Sequence, residues 1–342
     1  AQAIALITKI FSGVLSDMLG KRKPLALLGY GLAALTKPVF ALASSAPLVV
    51  SARFMDRVGK GIRGAPRDAL IADITPEAVR GASYGIRQSL DSVGAFVGPG
   101  LALLLMALLA NDIRGVFWFA VIPATLAVLI LWFGVREPAR PAGTPKARLP
   151  LSRQEIGKLG SAYWNTVAVG AVMMLAGFSE AFLVLRAQDL GLSLTLIPLV
   201  FIVMNVVYAL AAYPAGVCSD RWGRPGLIVA GFIVLIAADL VLATADGLPA
   251  VMTGIVLWGL YMGLTQGVLT ALIADTAPPE LRGTAFGLFT LVRGLSLVMA
   301  RARAGWLWDQ YGAPAPFFAS AGIAAAALAA WLLRVRRDGA LH

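Results

Sequence analysis

Apolar runs of about 20 residues recur along the whole chain and are separated by short polar or glycine-containing turns. A run of that length is what an α-helix needs to cross a bilayer, whereas a membrane β-barrel shows alternating segments of about 10 residues. The pattern therefore predicts an all-α integral membrane protein. The predicted spans are residues 1–16, 24–43, 47–73, 83–109, 115–135, 161–185, 194–215, 225–245, 249–275, 284–306 and 314–335.

The third predicted span is unusual because it carries a stripe of charge. Its charged side chains recur every three or four residues, so in a helix they lie on one face. An ionised side chain at mid-bilayer costs at least about 2.5 to 3.5 kcal/mol, and the stripe is therefore expected to face a partner or water rather than lipid. Its members are Arg53, Asp56, Arg57, Lys60, Arg63 and Arg67.

The chain contains a tandem repeat. The segment 69–73, which reads Ala-Leu-Ile-Ala-Asp, is followed by Arg80 and Gly81, and it recurs as 271–275 with Arg282 and Gly283, 202 positions later in each case. A second repeated pattern, Gly-x-x-Ser-Asp-x-x-Gly-Lys/Arg, begins at Gly13 and again at Gly216. Two copies of one helical unit therefore make up the chain.

The repeat predicts two bundles joined by a linker. Residues 1–135 are expected to form the N-terminal bundle and residues 161–342 the C-terminal bundle, with a proline-rich, cationic linker at 136–160. If the second copy begins with the span near residue 161, its counterpart precedes residue 1, so eleven helices of two pseudo-symmetric six-helix bundles are present. Inside the linker, residues 151–159 are expected to form a short surface helix capped by Ser152, with Glu155 three residues later.

Composition and charge agree with a membrane protein. Hydrophobic residues make up 59% of the chain and charged residues 14%, against roughly 25% charged residues in soluble domains. The net charge of +11 does not require a nucleic-acid partner, because most basic loop residues fall on one side and only Arg114 and Arg186 on the other. By the positive-inside rule the first side and the C-terminus are cytoplasmic.

The scarcity of reactive residues limits the possible chemistry. The chain has one cysteine, Cys218, and one histidine, His342, so no disulfide framework, Cys/His metal site or Cys/His nucleophile pair is expected. No catalytic residue, metal or cofactor is predicted, and the protein is not expected to be an enzyme. Two other classes remain open, a membrane enzyme acting on a lipid or isoprenoid phosphate and a sensor that does not transport.

The doubled loop pattern carries a resemblance to a known family. Its first copy reads Gly13-Val-Leu-Ser-Asp17-Met-Leu-Gly20-Lys21-Arg22-Lys23 and joins two apolar spans. With the two halves and the central linker, it resembles the major facilitator superfamily, which implies a secondary transporter working by alternating access. The resemblance implies a conformational latch at the cytoplasmic rim formed by Gly13, Asp17, Gly20, Lys21, Arg22, Asp73, Arg80, Asp220, Arg224, Asp275 and Arg282.

Two further features resemble parts of this family. Arg53 stands where the family has an arginine linked to proton coupling, although the following Asp56-Arg57 departs from the usual pattern. Gly94, Gly98 and Pro99 are similar to a glycine-proline motif of drug:proton antiporters and also suit helix packing. The resemblance implies a monomeric antiporter that exports a small molecule across a prokaryotic plasma membrane. Uptake of an organic anion or phosphate ester is the alternative.

The repeat also indicates which charges are not needed for the fold. At the positions equivalent to Arg57, Lys60 and Arg63, the second copy has Gly259, Met262 and Thr265. The unduplicated cations are therefore expected to bind an anionic, amphipathic substrate together with an aromatic and amide wall. The predicted binding residues are Arg57, Lys60, Arg63, Trp258, Tyr261 and Gln266.

Two interpretations of the intramembrane acids remain. In the first, Asp56 exchanges a proton as the substrate competes for the neighbouring cations, with Arg53 as its partner and Glu180, which has apolar neighbours along its helix, in reserve. A proton or other ion gradient would then drive transport without a cofactor. In the second, the charges only neutralise one another, as in an Asp56 to Lys60 pair along the helix.

Overall fold

The computed structural model describes residues 2–138 and 151–339, and in these ranges the chain is almost entirely helical with no β-strand. The rest of the predicted linker, residues 139–150, lies outside the described ranges. The helices are α1 (Gln2–Leu19), α2 (Lys23–Leu42), α3 (Ala46–Ile74), α4 (Arg80–Leu108), α5 (Ile113–Leu129), α6 (Arg153–Gly157), α7 (Ser161–Ala176), α8 (Ala181–Asp189), α9 (Ile197–Trp222), α10 (Arg224–Thr244), α11 (Leu248–Thr276), α12 (Arg282–Tyr311) and α13 (Ala315–Gly339).

The helices confirm the predicted all-α membrane class. Nine helical stretches in the described part of the chain are long and apolar enough to cross a bilayer. The charged α3 is not among them, although its 29 residues give it the length of a span. The predicted surface helix is confirmed as α6, since the Ser152 hydroxyl accepts a hydrogen bond from the backbone N–H of Glu155 at 3.3 Å.

The span predicted at 161–185 is wrong as a continuous helix. α7 ends at Ala176, and α8 begins at Ala181 after the residues Gly177-Phe178-Ser179-Glu180. Glycine and serine favour helix ends over helix interiors, and this break leaves the last carbonyls of α7 without their intrahelical donors. Apolar periodicity alone did not reveal the break, because the residues on both sides are hydrophobic.

In both copies of the repeated loop pattern, a glycine with positive φ follows the first helix. Gly20 follows α1 with φ of 68°, and Gly223 follows α9 with φ of 91°. Only glycine adopts this left-handed region at little cost. Pro24 and Pro225 then occupy the first turn of α2 and α10, where the missing N–H of proline is not needed.

The chain forms two compact units. Its described residues fall into a first unit, of residues 2–77, 97–138, 151–164 and 273–294, in which α2 packs against α3 and α5 while α1 packs against α3. The second comprises residues 78–96, 165–272 and 295–339, and in it α10 packs against α9 and α13. The start of α4 thus belongs to the second unit and the start of α12 to the first. The division at 1–135, 136–160 and 161–342 describes the sequence repeat and stays a prediction.

The two arginines of the predicted non-cytoplasmic side both bind the end of a helix. Arg186 is buried at 5% exposure and donates to the carbonyls that end α10, at 3.0 Å to Leu242, 3.4 Å to Ala243 and 2.8 Å to Ala245. Arg114 is exposed and donates to Ala43, the residue after α2, at 3.3 Å. A cation satisfies the free carbonyls of a helix C-terminus and is favoured by the helix dipole.

These two arginines give a matched pair of variants. Arg186→Met should lower the free energy of unfolding by about 3 kcal/mol, because three buried carbonyls lose a charged donor. Arg114→Met should cost less than about 1 kcal/mol, because water replaces its one exposed hydrogen bond. Thermal unfolding in detergent measures both, and equal losses would contradict this account of α10.

Candidate functional site

The carboxylate of Asp17, near the end of α1, accepts hydrogen bonds from the start of another helix. Asp17 is fully buried and accepts hydrogen bonds from the backbone N–H groups of Gly283 at 3.1 Å and Thr284 at 2.6 Å, and from the Thr284 hydroxyl at 2.7 Å. These N–H groups belong to the first turn of α12, where helical donors have no intrahelical acceptor. The side chain also forms an ion pair with Arg22. We call this arrangement the Asp17 joint.

A second carboxylate, Asp73 at the end of α3, completes the Asp17 joint. Its two oxygens accept from Arg282 at 2.7 Å and from Arg22 at 3.3 Å. Arg22 is 2% exposed and also donates to the carbonyl of Pro279 at 3.2 Å. Two carboxylates and two guanidinium groups therefore neutralise one another while binding α1, α3 and the start of α12 together.

The second compact unit contains the matching arrangement, the Asp220 joint. The Asp220 carboxylate accepts from the backbone N–H groups of Gly81 and Ala82, both at 2.8 Å, and lies 3.5 Å from Arg224. Gly81 stands 202 positions before Gly283, so the repeat in sequence becomes a repeat in geometry. Sequence reasoning grouped these aspartates with a latch and did not identify the helix starts that they bind.

In each joint, one glycine of the loop pattern allows two helices to approach closely. A Cβ atom added at Gly13 would collide with the carbonyl of Gly283, and one added at Gly216 would collide with the carbonyl of Gly81. The glycines of the loop pattern therefore serve helix contact as well as the turn. The other predicted latch residues are Gly20 in the turn, exposed Lys21, buried Arg80 and half-buried Asp275.

The charged stripe of α3 has ionic partners both on a neighbouring helix and on α3 itself. Asp56 pairs with Lys37 of α2 at 3.0 Å, whereas the second interpretation expected Lys60 as its partner. Arg53, its predicted coupling partner, is exposed. Arg57 is half-buried, and its Nε is a buried donor without a hydrogen-bond partner in the described ranges.

Towards the end of α3 the charges are paired more closely. Asp68 is buried and pairs with Lys9 of α1 at 3.3 Å and with Arg67 at 3.2 Å. Arg63 lies over the ring of Tyr30 at 4.3 Å from its centroid, a cation–π contact. On α4, Arg87 pairs with Asp91 at 2.7 Å.

The predicted aromatic wall is buried in the second unit. Trp258 and Tyr261 are 4% and 2% exposed, and Gln266 is half-buried. Trp258 stacks on Phe178 with ring centroids 4.4 Å apart, so it contacts the break between α7 and α8. Their role in substrate binding stays a prediction, and packing is the role that the contacts describe.

The remaining predicted positions are also placed by the structure. Glu180 is exposed in the break and interacts electrostatically with Arg301 of α12. A Cβ atom added at Gly94 or Gly98 would meet no described heavy atom within 4 Å. Helix packing at these glycines and Pro99 therefore stays a prediction.

Sequence reasoning missed the buried acid Asp239. It is the single acidic residue of α10 and is fully buried beside Ser320 of α13. The available signal was its position in the middle of an apolar span, because an acid there is rarely without a function or partner.

Comparison with known proteins places these features in a family. The family model described as Major Facilitator Superfamily matches residues 1–185 and 167–341. An uncharacterized MFS-type transporter of Methanocaldococcus jannaschii is 30% identical over 311 residues, which cover 89% of this chain and 77% of the relative. The multidrug resistance protein MdtL of Escherichia coli O157:H7 is 22% identical over 304 residues, covering 87% and 74% of the two chains.

A solved structure shows the same fold. The crystal structure of the human organic anion transporter MFSD10 (TETRAN) superposes with a TM-score of 0.77, covering 96% of this chain and 81% of that chain. The two sequences are 18% identical, so the likeness concerns the fold alone.

Proposed function

The chain belongs to the Major Facilitator Superfamily, and we propose that it is a proton-coupled antiporter that exports a small anionic or amphipathic organic solute. Family membership makes it a multi-pass membrane transporter rather than an enzyme. The proposal adds the substrate class, the coupling ion and the direction. The proposed transporter uses an ion gradient as its energy source and requires no cofactor. Its proposed partners are the substrate and the bilayer of a prokaryotic plasma membrane.

The proposal of an anionic substrate is based on the surroundings of Arg57. Its neighbour Asp56 is paired with Lys37, so the nearest carboxylate on its own helix already has a cation. The buried Nε of Arg57 is a donor without a hydrogen-bond partner among the described side chains and backbone. Leaving a buried donor without an acceptor costs free energy. An anionic group of the substrate accepts the hydrogen bond of the Nε and pairs with the charge of Arg57.

The direction and coupling rest on different support. The relative MdtL is named a multidrug resistance protein, and the Gly94, Gly98 and Pro99 motif resembles that of drug:proton antiporters. Asp56, which pairs with Lys37 and is adjacent in sequence to Arg57, is the acid proposed to exchange the proton.

The two joints are proposed to act as latches. Each holds the first turn of one helix by a buried carboxylate that also has cationic partners. Alternating access requires such contacts to open and close once in every cycle. The latches therefore control the rate of turnover and not the affinity for substrate.

The Arg57→Gln variant tests the anion site. Binding of an anionic substrate should weaken at least about tenfold, which corresponds to the loss of one charge-assisted hydrogen bond. A thermal-shift screen of organic anions and cationic drugs identifies the ligand, and counterflow in liposomes measures its transport. Arg136→Gln, which removes an exposed cation outside the helices, is the control. Unchanged anion affinity in Arg57→Gln would remove Arg57 from the site.

The Asp17→Asn variant tests the latch. The amide keeps the size of the side chain but loses the charge that pairs with Arg22, so the closed joint is weakened. Turnover should fall severalfold while substrate affinity changes less than about twofold. Glu77→Gln, at an exposed acid between α3 and α4, should change neither quantity. A large loss of affinity in Asp17→Asn would contradict the latch role.

Proton release on substrate binding tests the coupling residue. In detergent with a pH-sensitive dye, the wild type should release protons when substrate binds, and Asp56→Asn should release fewer. Glu180→Gln is the comparison. Release that persists in Asp56→Asn but disappears in Glu180→Gln would move coupling to the α7–α8 break. A wild type that releases no proton at any pH would exclude proton antiport.

A further inference from the structure

A buried polar cluster joins four helices of the second unit at the break after α7. Asp239 of α10 and Ser320 of α13 are both fully buried, and the Ser320 hydroxyl lies within hydrogen-bond distance of two acceptors, an Asp239 oxygen and the carbonyl of Ala176. From α12, Arg303 donates to the carbonyl of Gly177 at 3.4 Å and interacts electrostatically with Asp239.

If Asp239 is ionised, this cluster has one hydrogen too few for its two oxygen–oxygen contacts. Ser320 has a single hydroxyl hydrogen and can donate it to only one of its two neighbours. If it donates to Asp239, the carbonyl of Ala176 loses this donor. If it donates to Ala176, two oxygens approach each other without a hydrogen between them. A proton on the carboxyl group resolves this, because Asp239 then donates to Ser320 and Ser320 donates to Ala176.

The other oxygen of Asp239 leads to the same conclusion. Oδ1 is buried and has no hydrogen-bond partner in the described part of the chain. An ionised carboxylate needs several donors when it is removed from water, whereas the carbonyl oxygen of a neutral acid costs far less to leave unpaired. Asp17 illustrates the difference, because it has three hydrogen bonds from α12 in addition to its ion pair.

We propose that Asp239 is a proton-binding site of this transporter, occupied when Ser320 bridges it to the end of α7 and emptied when Arg303 moves from Gly177 to the carboxylate. On release, the proton of Asp239 leaves to water and the guanidinium of Arg303 supplies the countercharge. No bond other than the O–H bond breaks. A role of this proton in transport rests on the proposed function, whereas protonation of Asp239 itself does not.

Arg303 links the proton to the break between α7 and α8. While Asp239 is neutral, Arg303 holds the carbonyl of Gly177 and Ser320 holds the carbonyl of Ala176, so two carbonyls at the break have donors. When Asp239 ionises, it competes for both donors. The break then loses these hydrogen bonds, and α8 becomes freer to move relative to α7. Protonation therefore selects between two arrangements of one helix.

The charges that act on this cluster come from α12 and the break. Arg303 acts on Asp239, and Arg301, two residues earlier, acts on Glu180. α13 contributes the neutral Ser320, and α7 contributes a backbone carbonyl. Glu180 is thus the other acid that a pH-dependent change at the break could involve, and the experiment has to separate the two.

Infrared difference spectra between the wild type and variants of the full chain, recorded without substrate, test whether Asp239 is protonated. The wild type at neutral pH should show the carbonyl stretching band of a protonated carboxylic acid, and Asp239→Asn should lose it. Asp246→Asn, at an exposed acid just after α10, should keep it. A band that is absent from the wild type, or that disappears in Glu180→Gln and persists in Asp239→Asn, would overturn the proposal.

A second variant and a second measurement cover the case in which Asp239→Asn does not fold. Ser320→Ala removes the acceptor of the proposed Asp239 donor, so the wild-type band should shift rather than disappear. The protection factors of the amides at 177–183, which remove the intrinsic rise of exchange with pH, should fall severalfold as pH rises in the wild type and in Asp246→Asn, but not in folded Asp239→Asn. A band unchanged in Ser320→Ala, or protection equally pH-dependent in all three proteins, would contradict the site.

Discussion

A buried carboxylate bound to the free N–H groups of a helix start is the interaction on which the rest of this structure depends. Asp17 and Asp220 each occupy this position, at the first turns of α12 and α4. A helix start exposes donors, and a buried aspartate needs donors, so each satisfies a requirement that the other creates. The bond is strong when closed, yet its groups can be solvated when the joint opens, which suits a contact that must be broken repeatedly.

The same requirement explains how α3 tolerates its charge. Two acids of α3 have partners on adjacent helices, Lys37 for Asp56 and Lys9 for Asp68, so these ion pairs also hold α1, α2 and α3 together. An ion pair between helices stabilises one packing arrangement, whereas a pair along a single helix, such as Arg67 with Asp68, does not. The buried Nε of Arg57 has no hydrogen-bond partner among the described residues, and this is the observation behind the proposed anion site.

The helical class, the approximate spans and the repeat could be predicted from sequence, because run length and spacing are local properties. The cap of α6 by Ser152 was predictable for the same reason. Partners across helices were not, since i to i+4 spacing suggested Lys60 for Asp56 where α2 supplies Lys37. The break after Ala176 was missed because the residues on both sides of it are apolar, and hydropathy does not mark helix ends. Asp239 was missed although its position in an apolar span was a signal, because the sequence does not show the Ser320 hydroxyl that lies beside it.

Asp56 and Asp239 have different surroundings, and the proposals give these two acids different tasks. Asp56 is half-buried and has the Lys37 ammonium group at 3.0 Å as an ionic partner. Asp239 is fully buried, and a proton on its carboxyl group lets Ser320 accept from Asp239 and donate to Ala176. An acid of the first kind responds to a competing charge, such as an anionic substrate, whereas an acid of the second kind responds to a change in helix geometry that admits water. The proposed coupling of binding to conformation uses both responses, and the two halves of the repeat differ accordingly, with the charged stripe on α3 and a single acid in α10.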